Sequence, residues 1–116
     1  MPIQTAFTTM YKFGDIVLIS FPFTNAIGAK KRPGLVLYDN GDPDIVVARI
    51  TSQSVSGADD IQLTDWQAAG LRLPSTVRLH KIATLEKSMI GQLMGSLSTT
   101  DVRNISAHLQ QAALTL

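Results

Sequence analysis

A small, strongly bent β-sheet or barrel carrying one C-terminal helix is the fold class this sequence predicts, and three observations predict it. Short β-branched and apolar runs recur along the chain. Clusters of Gly, Pro, Asn and Asp separate them. The hydrophobic period becomes helical only in the last segment. The length, 116 residues, suits one domain and leaves no room for a second.

The elements follow in order. Residues 1–9 have no basic region and no apolar stretch, so they do not read as a signal peptide. They read as a flexible N-terminal extension, with a single domain over residues 10–116. Asp15 to Phe21 is a dense β-branched strand after Gly14, ended by Pro22. Asn25 to Lys31, with Gly28 inside, reads as a polar loop. Pro33 then opens a second strand, Gly34 to Tyr38. Asp39-Asn40-Gly41-Asp42-Pro43 is a turn, followed by a strand from Ile45 to Thr51. After a turn at Ser54–Gly57, Asp60 to Leu63 forms a shorter strand. Asp65 to Gly70 reads as one helical turn closed by glycine. Ser75 to Ile82 alternates with period two, placing Val77, Leu79 and Lys81 on one face and Thr76, Arg78, His80 and Ile82 on the other. Ala83 to Leu97 reads as a turn plus a short strand. Ser98 or Thr99 caps the final helix, Asp101 favours its dipole, and Val102, Ile105, Leu109, Ala112 and Leu116 form its apolar stripe.

Composition narrows the function. There is no cysteine, which excludes disulfides, thiolate nucleophiles and cysteine metal sites, and suits a reducing cytoplasm. No apolar run approaches bilayer length. No phosphate-cradling glycine loop and no metal-ligand spacing is visible, so neither a cofactor nor a metal is expected. The net charge of +1 is uninformative, but its distribution is not. Asp39, Asp42, Asp44, Asp59, Asp60 and Asp65 cluster with only Arg49 among them. Segments 30–32 and 72–87 carry Lys30, Lys31, Arg32, Arg72, Arg78, Lys81 and Lys87 against Glu86 alone. Brought together, those segments would make a basic face for a polyanion; kept apart, they are scattered surface charges.

Three places offer chemistry. Arg32 stands at a strand entrance beside Pro33, where a guanidinium fork can meet a phosphate; it also reads as a solvent-facing charge with a packed stem. Thr51 and Ser52 end a strand, where hydroxyls bind ligands or simply cap a turn. Arg78 and His80 share a strand face, which suits phosphate binding with proton transfer, or equally a polar outer face. His108 lies opposite the helix's apolar stripe and reads as solvated.

The stretches Gly14-Asp15-Ile16-Val17-Leu18-Ile19-Ser20-Phe21-Pro22-Phe23-Thr24, Lys31-Arg32-Pro33-Gly34-Leu35-Val36-Leu37 and Ile50-Thr51-Ser52-Gln53 occur in that order. They continue with Gly70-Leu71, Pro74-Ser75, Val77-Arg78-Leu79-His80-Lys81-Ile82, Ile90-Gly91 and Gly95-Ser96-Leu97-Ser98. Each is weak alone; the ordered set resembles the MazF/PemK toxins of type II toxin–antitoxin systems. The resemblance implies an SH3-like barrel with a C-terminal α-helix, paired as a homodimer. It implies metal-independent, sequence-specific cleavage of single-stranded RNA and a cognate antitoxin whose tail folds across the RNA groove. DNA would be met only indirectly, through the antitoxin, and no membrane is involved. The family's arginine falls on Arg32, its active-site hydroxyl on Thr51 with Ser52 beside it, and its later basic residue on Arg78. His80 replaces an acidic residue that some members carry and is the candidate base. Lys30, Lys31 and Gln53 join Ser52 and Arg78 as expected RNA contacts. The 2′-hydroxyl would attack the adjacent phosphorus, leaving 2′,3′-cyclic phosphate and 5′-hydroxyl ends. Two alternatives share the fold: a gyrase-poisoning toxin like the CcdB relatives, against which Arg32 and Thr51 count, and a non-catalytic nucleic-acid-binding barrel.

Overall fold

Six strands and one helix organise the described chain, residues 9–22 and 28–114 of a computed structural model. They are β1 (Asp15–Pro22), β2 (Ala29–Tyr38), β3 (Asp44–Thr51), β4 (Asp60–Gln62), β5 (Thr76–Glu86), β6 (Ile90–Ser96) and α1 (Thr99–Leu114); a 3-10 turn, Lys87–Met89, joins β5 to β6. The expectations for residues 1–8, for most of the loop after Pro22 and for Leu116 lie outside the described residues.

The strands form one antiparallel sheet in the order β4-β5-β3-β2-β1-β6. This is the expected barrel-like architecture with its C-terminal helix, except that β4 and β6 remain edges and the sheet is not closed. Register shifts mark β1 against β6, β2 against β3, and β3 against β5. Such bulges add local bend and twist. Both faces are buried, which explains why the strands read as dense apolar runs rather than clean alternation. On one face Ile16, Leu35, Ala48, Ile50, Val77 and Leu79 pack with Leu97 and Ile105 of the C-terminal segment. On the other, Val17, Ile19, Val36, Ile45 and Val47 pack with Tyr11, Phe21, Leu85, Met89 and Ile90. Successive residues Ile16 and Val17 belong to different clusters, as strand geometry requires.

Several elements differ from the sequence reading. β2 begins at Ala29, so Ala29–Lys31 is strand rather than loop: β1 supplies a paired neighbour as far as Pro22↔Ala29. Pro33 therefore sits inside β2, where β1 lies on one side and the other side is open, a position that tolerates a missing N–H. β5 continues to Glu86 because β3 pairs along it as far as Asp44↔Glu86. The alternation expected on β5 fails at Thr76 and Val77, both buried, because β5 is flanked there by β3 and β4 at once.

As the sequence implies, residues 65–70 form one turn closed by glycine, with Ala69 N–H donating to Asp65 O at 3.2 Å. Leu71 N–H donates to Trp66 O and Gly70 N–H to Gln67 O, both at 3.1 Å, with Gly70 at φ 91°. This paired bonding closes a helical turn through a left-handed residue. The turn presses on β6 so tightly that a Cβ on Gly95 would lie 2.3 Å from Ala69 O. Only glycine permits that approach.

Two carboxylates tie distant segments together. Asp101 is fully buried and accepts hydrogen bonds from the N–H groups of Thr64 and Asp65, at 2.9 and 2.8 Å. Ser98 Oγ accepts from Asp101 N–H at 3.2 Å, so Ser98 is the helix cap. Asp39 accepts from the N–H groups of Tyr11 and Gly41 and meets Lys87 Nζ at 2.9 Å, joining the N-terminal segment, the β2–β3 turn and the β5–β6 connection.

Burial alone would raise the pKa of Asp39, but the Lys87 ammonium and the Tyr11 and Gly41 amides outweigh it and hold the carboxyl below its usual value. A depressed folded-state pKa means the unfolded chain binds more protons, so the contribution is full above the ordinary carboxylate value and is lost as pH falls below it. Thermal unfolding should show stability falling steeply below about pH 4. Lys87→Ala should lower stability by roughly 1–3 kcal/mol at neutral pH and flatten that fall. An unchanged acid limb in the variant would remove Asp39 as its cause.

Candidate active site

The β2–β3 ladder ends at Gly34↔Arg49. Below that rung β2 stays with β1, while β3 runs on to Thr51 alongside β5, at Thr51↔Thr76. Continued by two residues, the register would set Arg32 against Thr51; instead the strands part, and the fork opens into a cavity of about 480 Å³. Lys31, Arg32, Thr51, Ser52 and Gln53 all line it, joined by Arg72, Ser75, Gln92 and Met94 from other elements.

Thr51 is largely buried, and its Oγ1 accepts the Gln53 N–H at 3.1 Å. That bond occupies an acceptor position and leaves the hydroxyl proton free to donate. Arg32 is half-buried, so its stem is packed while its fork remains available. Among the described residues the lining carries three cations, Lys31, Arg32 and Arg72, and no Asp, Glu or His. A concave surface with cations and no carboxylate attracts an anion and strengthens its hold through the low-dielectric wall.

Sequence reasoning brought Arg32, Thr51, Ser52, Gln53 and Lys31 to one place, and the fold joins them. It does not bring Arg78 and His80 there. Arg78 Nε donates to Asp60 Oδ1 at 3.0 Å, because the short β4 lays Asp60 directly opposite it. Burial would raise the Asp60 pKa, but Arg78, the Gly57 N–H and, more weakly, His80 hold it below the usual value. His80 is exposed on the segment where β5 bulges away from the β3 ladder, between Arg78 and Ile82. Lys30 is exposed on β2, opposite Phe21, and does not line the cavity. His108 is not simply solvated: its Nε2 lies 3.1 Å from Asp59 Oδ1, across from the segment before β4. Arg72, Ser75 and Gln92 were missed. Arg72 lay in the basic segment already visible in the sequence, whereas nothing local marks Gln92, which arrives on the edge strand β6.

Among the described residues no cluster of three His, Asp or Glu side chains is placed to hold a metal ion. Among the same residues no helix is long and apolar enough to cross a membrane.

Comparison with known proteins places this geometry. No curated protein matches the sequence. In structure, the chain is similar to an endoribonuclease from a mycobacterial species, with TM-score 0.68 and 19% identity over 92% of this chain and 94% of that one. A mycobacterial endoribonuclease in complex with its cognate antitoxin gives TM-score 0.67 and 20% identity over 90% and 95% of the two chains. MazE–MazF from Deinococcus radiodurans gives TM-score 0.71 and 15% identity over 90% and 97%. The fold is thus shared along nearly the whole length of each. At sequence level the family model of PemK-like, MazF-like toxins matches residues 12–113, which takes in every strand, the forked cavity and nearly all of the helix, and the chain belongs to that family of type II toxin–antitoxin toxins.

Proposed function

We propose that the protein is the toxin of a type II toxin–antitoxin pair and a metal-independent, sequence-specific endoribonuclease acting on single-stranded RNA. The observation that carries this reading is the fork: Arg32 and Thr51 come from strands that part to face one cationic cavity, with no carboxylate in its wall among the described residues. RNA brings its own nucleophile, the 2′-hydroxyl. In-line attack on phosphorus builds negative charge on the non-bridging oxygens, and the Arg32 guanidinium is placed to stabilise it as a two-pronged donor. The Thr51 hydroxyl, already accepting the Gln53 N–H, donates to the same phosphate and orients it. Lys31, Ser52 and Gln53 hold the flanking backbone. The O2′–P bond forms as the P–O5′ bond breaks; the base takes the 2′-hydroxyl proton, and the departing 5′-oxygen takes a proton from solvent or from Arg32, giving a 2′,3′-cyclic phosphate and a 5′-hydroxyl. His80 is kept as the proposed base and Arg78 and Lys30 as outer RNA contacts, all three reached outside the cavity wall.

The similar structures bound to antitoxin support a cognate antitoxin as the inhibitor. We further propose a homodimer working in the cytoplasm, with DNA met only through the antitoxin.

The test is cleavage of a 5′-labelled single-stranded RNA in excess EDTA, with the matching DNA alongside. Discrete cuts with cyclic phosphate ends, and intact DNA, are the expected result. Cleavage that requires added metal, or DNA cut at a comparable rate, overturns the scheme.

A further inference from the structure

Arg32 lines not one cavity but two. The second, of about 370 Å³, shares Arg32 and Pro33 with the first. Its wall is apolar, built from Ile19, Phe21, Val47, Ile82 and Leu85, and carries two further cations, Arg49 and Lys81. Among the described residues neither cavity is lined by Asp or Glu. Five of the chain's ten Lys and Arg residues, namely Lys31, Arg32, Arg49, Arg72 and Lys81, therefore face these two hollows. None of the five is in an ion pair among the described residues, whereas Arg78 and Lys87 each have a carboxylate. Cations left unpaired along a concave surface carry a standing field for a polyanion. Ile82 is nearly half exposed within the second hollow, an apolar side chain offered to whatever enters.

We propose that the two cavities form one continuous track for a single RNA strand, running from Arg72 across Arg32 to Arg49 and Lys81. The track rests on the ribonuclease reading above and extends it to residues which that reading leaves unassigned. Arg32 takes the scissile phosphate at the junction, and Arg72 and Lys81 take phosphates on either side. The apolar wall of the second cavity receives a flanking base. A nucleotide joins a flat apolar face to an anion, and this surface offers both features. Arg72 is exposed and lines the first cavity. It follows the buried Leu71, and the turn before it is pinned by the contact between Ala69 O and Gly95. Residues 81–83 reach the track because β5 bulges out of the β3 ladder just before them.

The test uses an RNA oligomer spanning a mapped cut site, with a single 2′-deoxy substitution there to block cleavage. Its affinity is measured across a salt series. Each phosphate contact on a single strand contributes about 0.7 to the slope of log K against log salt. Arg72→Ala and Lys81→Ala should each weaken binding about tenfold at low salt, the loss of a charge-assisted contact, and each lower the slope by about 0.7. The double variant should lower it by about 1.4. Arg72→Lys should keep the wild-type slope, and Ile82→Ser should weaken binding without changing it. These slopes report phosphate contacts, which a merely structural role for either residue would not alter. Wild-type slopes in both alanine variants, while the wild type cuts and binds RNA, overturn the track and leave the nuclease reading standing. Unchanged RNA binding with reduced binding of an Asp- and Glu-rich peptide reassigns the surface to a protein partner and overturns it as well. A wild type that neither cuts nor binds RNA ends both proposals.

Discussion

Arg32→Ala is expected to lower kcat for RNA cleavage by about 10²–10³-fold, the range for removing one preorganised donor from a charge-building transition state. The effect should fall on kcat because the ground-state phosphodiester already carries its charge, while the trigonal-bipyramidal species places more of it on the oxygens facing the guanidinium. Arg32 is half-buried, makes no ion pair among the described residues and stands where β2 has left β3, so its removal should leave Tm nearly unchanged. Arg32→Lys restores charge but not the planar fork and should recover only part of the rate. Thr51→Val, which keeps the shape, should cost about tenfold, one neutral hydrogen bond's worth. His80→Gln tests the proposed base, and a large loss of kcat is the expected result. His80 lies outside the cavity, so a large loss would mean that the RNA folds back to β5, and an unchanged kcat would remove histidine from the chemistry. An Arg32→Ala variant that still cuts within tenfold of wild type would displace the cavity as the site of reaction.

The sequence was most legible where chemistry is local. The run from Asp15 to Phe21, the turn at Asp39–Pro43 and the final helical period each carry their signal within a few residues, and each element stands where it was expected. Local signals marked Arg32 and Thr51 only as separate candidates, each with an equally ordinary reading, and what joined them was the family resemblance. Eighteen residues separate them, and nothing in either strand says that β2 and β3 stop pairing at Gly34↔Arg49. The start of β2 was misplaced for a related reason: Lys30 and Lys31 read as loop because they are polar, yet β1 pairs with them and an open side leaves them wet. The Arg78–His80 pair shows the opposite failure. Period two correctly puts the two on one side of a strand, but the short strand β4 brings Asp60 against Arg78, and the bulge carries β5 away from β3. A pattern within one strand does not contain its neighbours. Nor was the open sheet readable, since closure depends on whether β4 and β6 meet, and these strands lie at opposite ends of the strand order.

Asp101 illustrates how far such long-range constraint can go, and its replacement carries the largest expected loss of stability. In the sequence it is one acid in the first turn of a helix, with a modest gain from the dipole. In the fold its side chain is fully buried, and its two oxygens receive the Thr64 and Asp65 N–H groups from a segment more than thirty residues away. These bonds attach α1 to the segment leading into the turn at residues 65–70, the same turn that presses against Gly95 and positions Arg72. Asp101→Ala leaves both donors without a partner and opens a void beneath the helix. At about 1–3 kcal/mol for each unmet donor, partly offset where water reaches Thr64, the loss should be roughly 2–5 kcal/mol. Asp101→Asn should cost somewhat less, since its amide oxygen still accepts one of the two bonds while its NH₂ faces the other donor. Ser98→Ala, which removes the cap alone, should cost about 1 kcal/mol. Urea unfolding of the three variants orders these effects, and a loss in Asp101→Ala no larger than that in Ser98→Ala would show that the carboxylate acts only as a local cap. The variant also separates stability from chemistry. At a temperature where Asp101→Ala remains folded, kcat should stay near wild type because Arg32 is held by its pairing with β1 and Thr51 by its pairing with β5, while KM should rise as the Arg72 segment loosens.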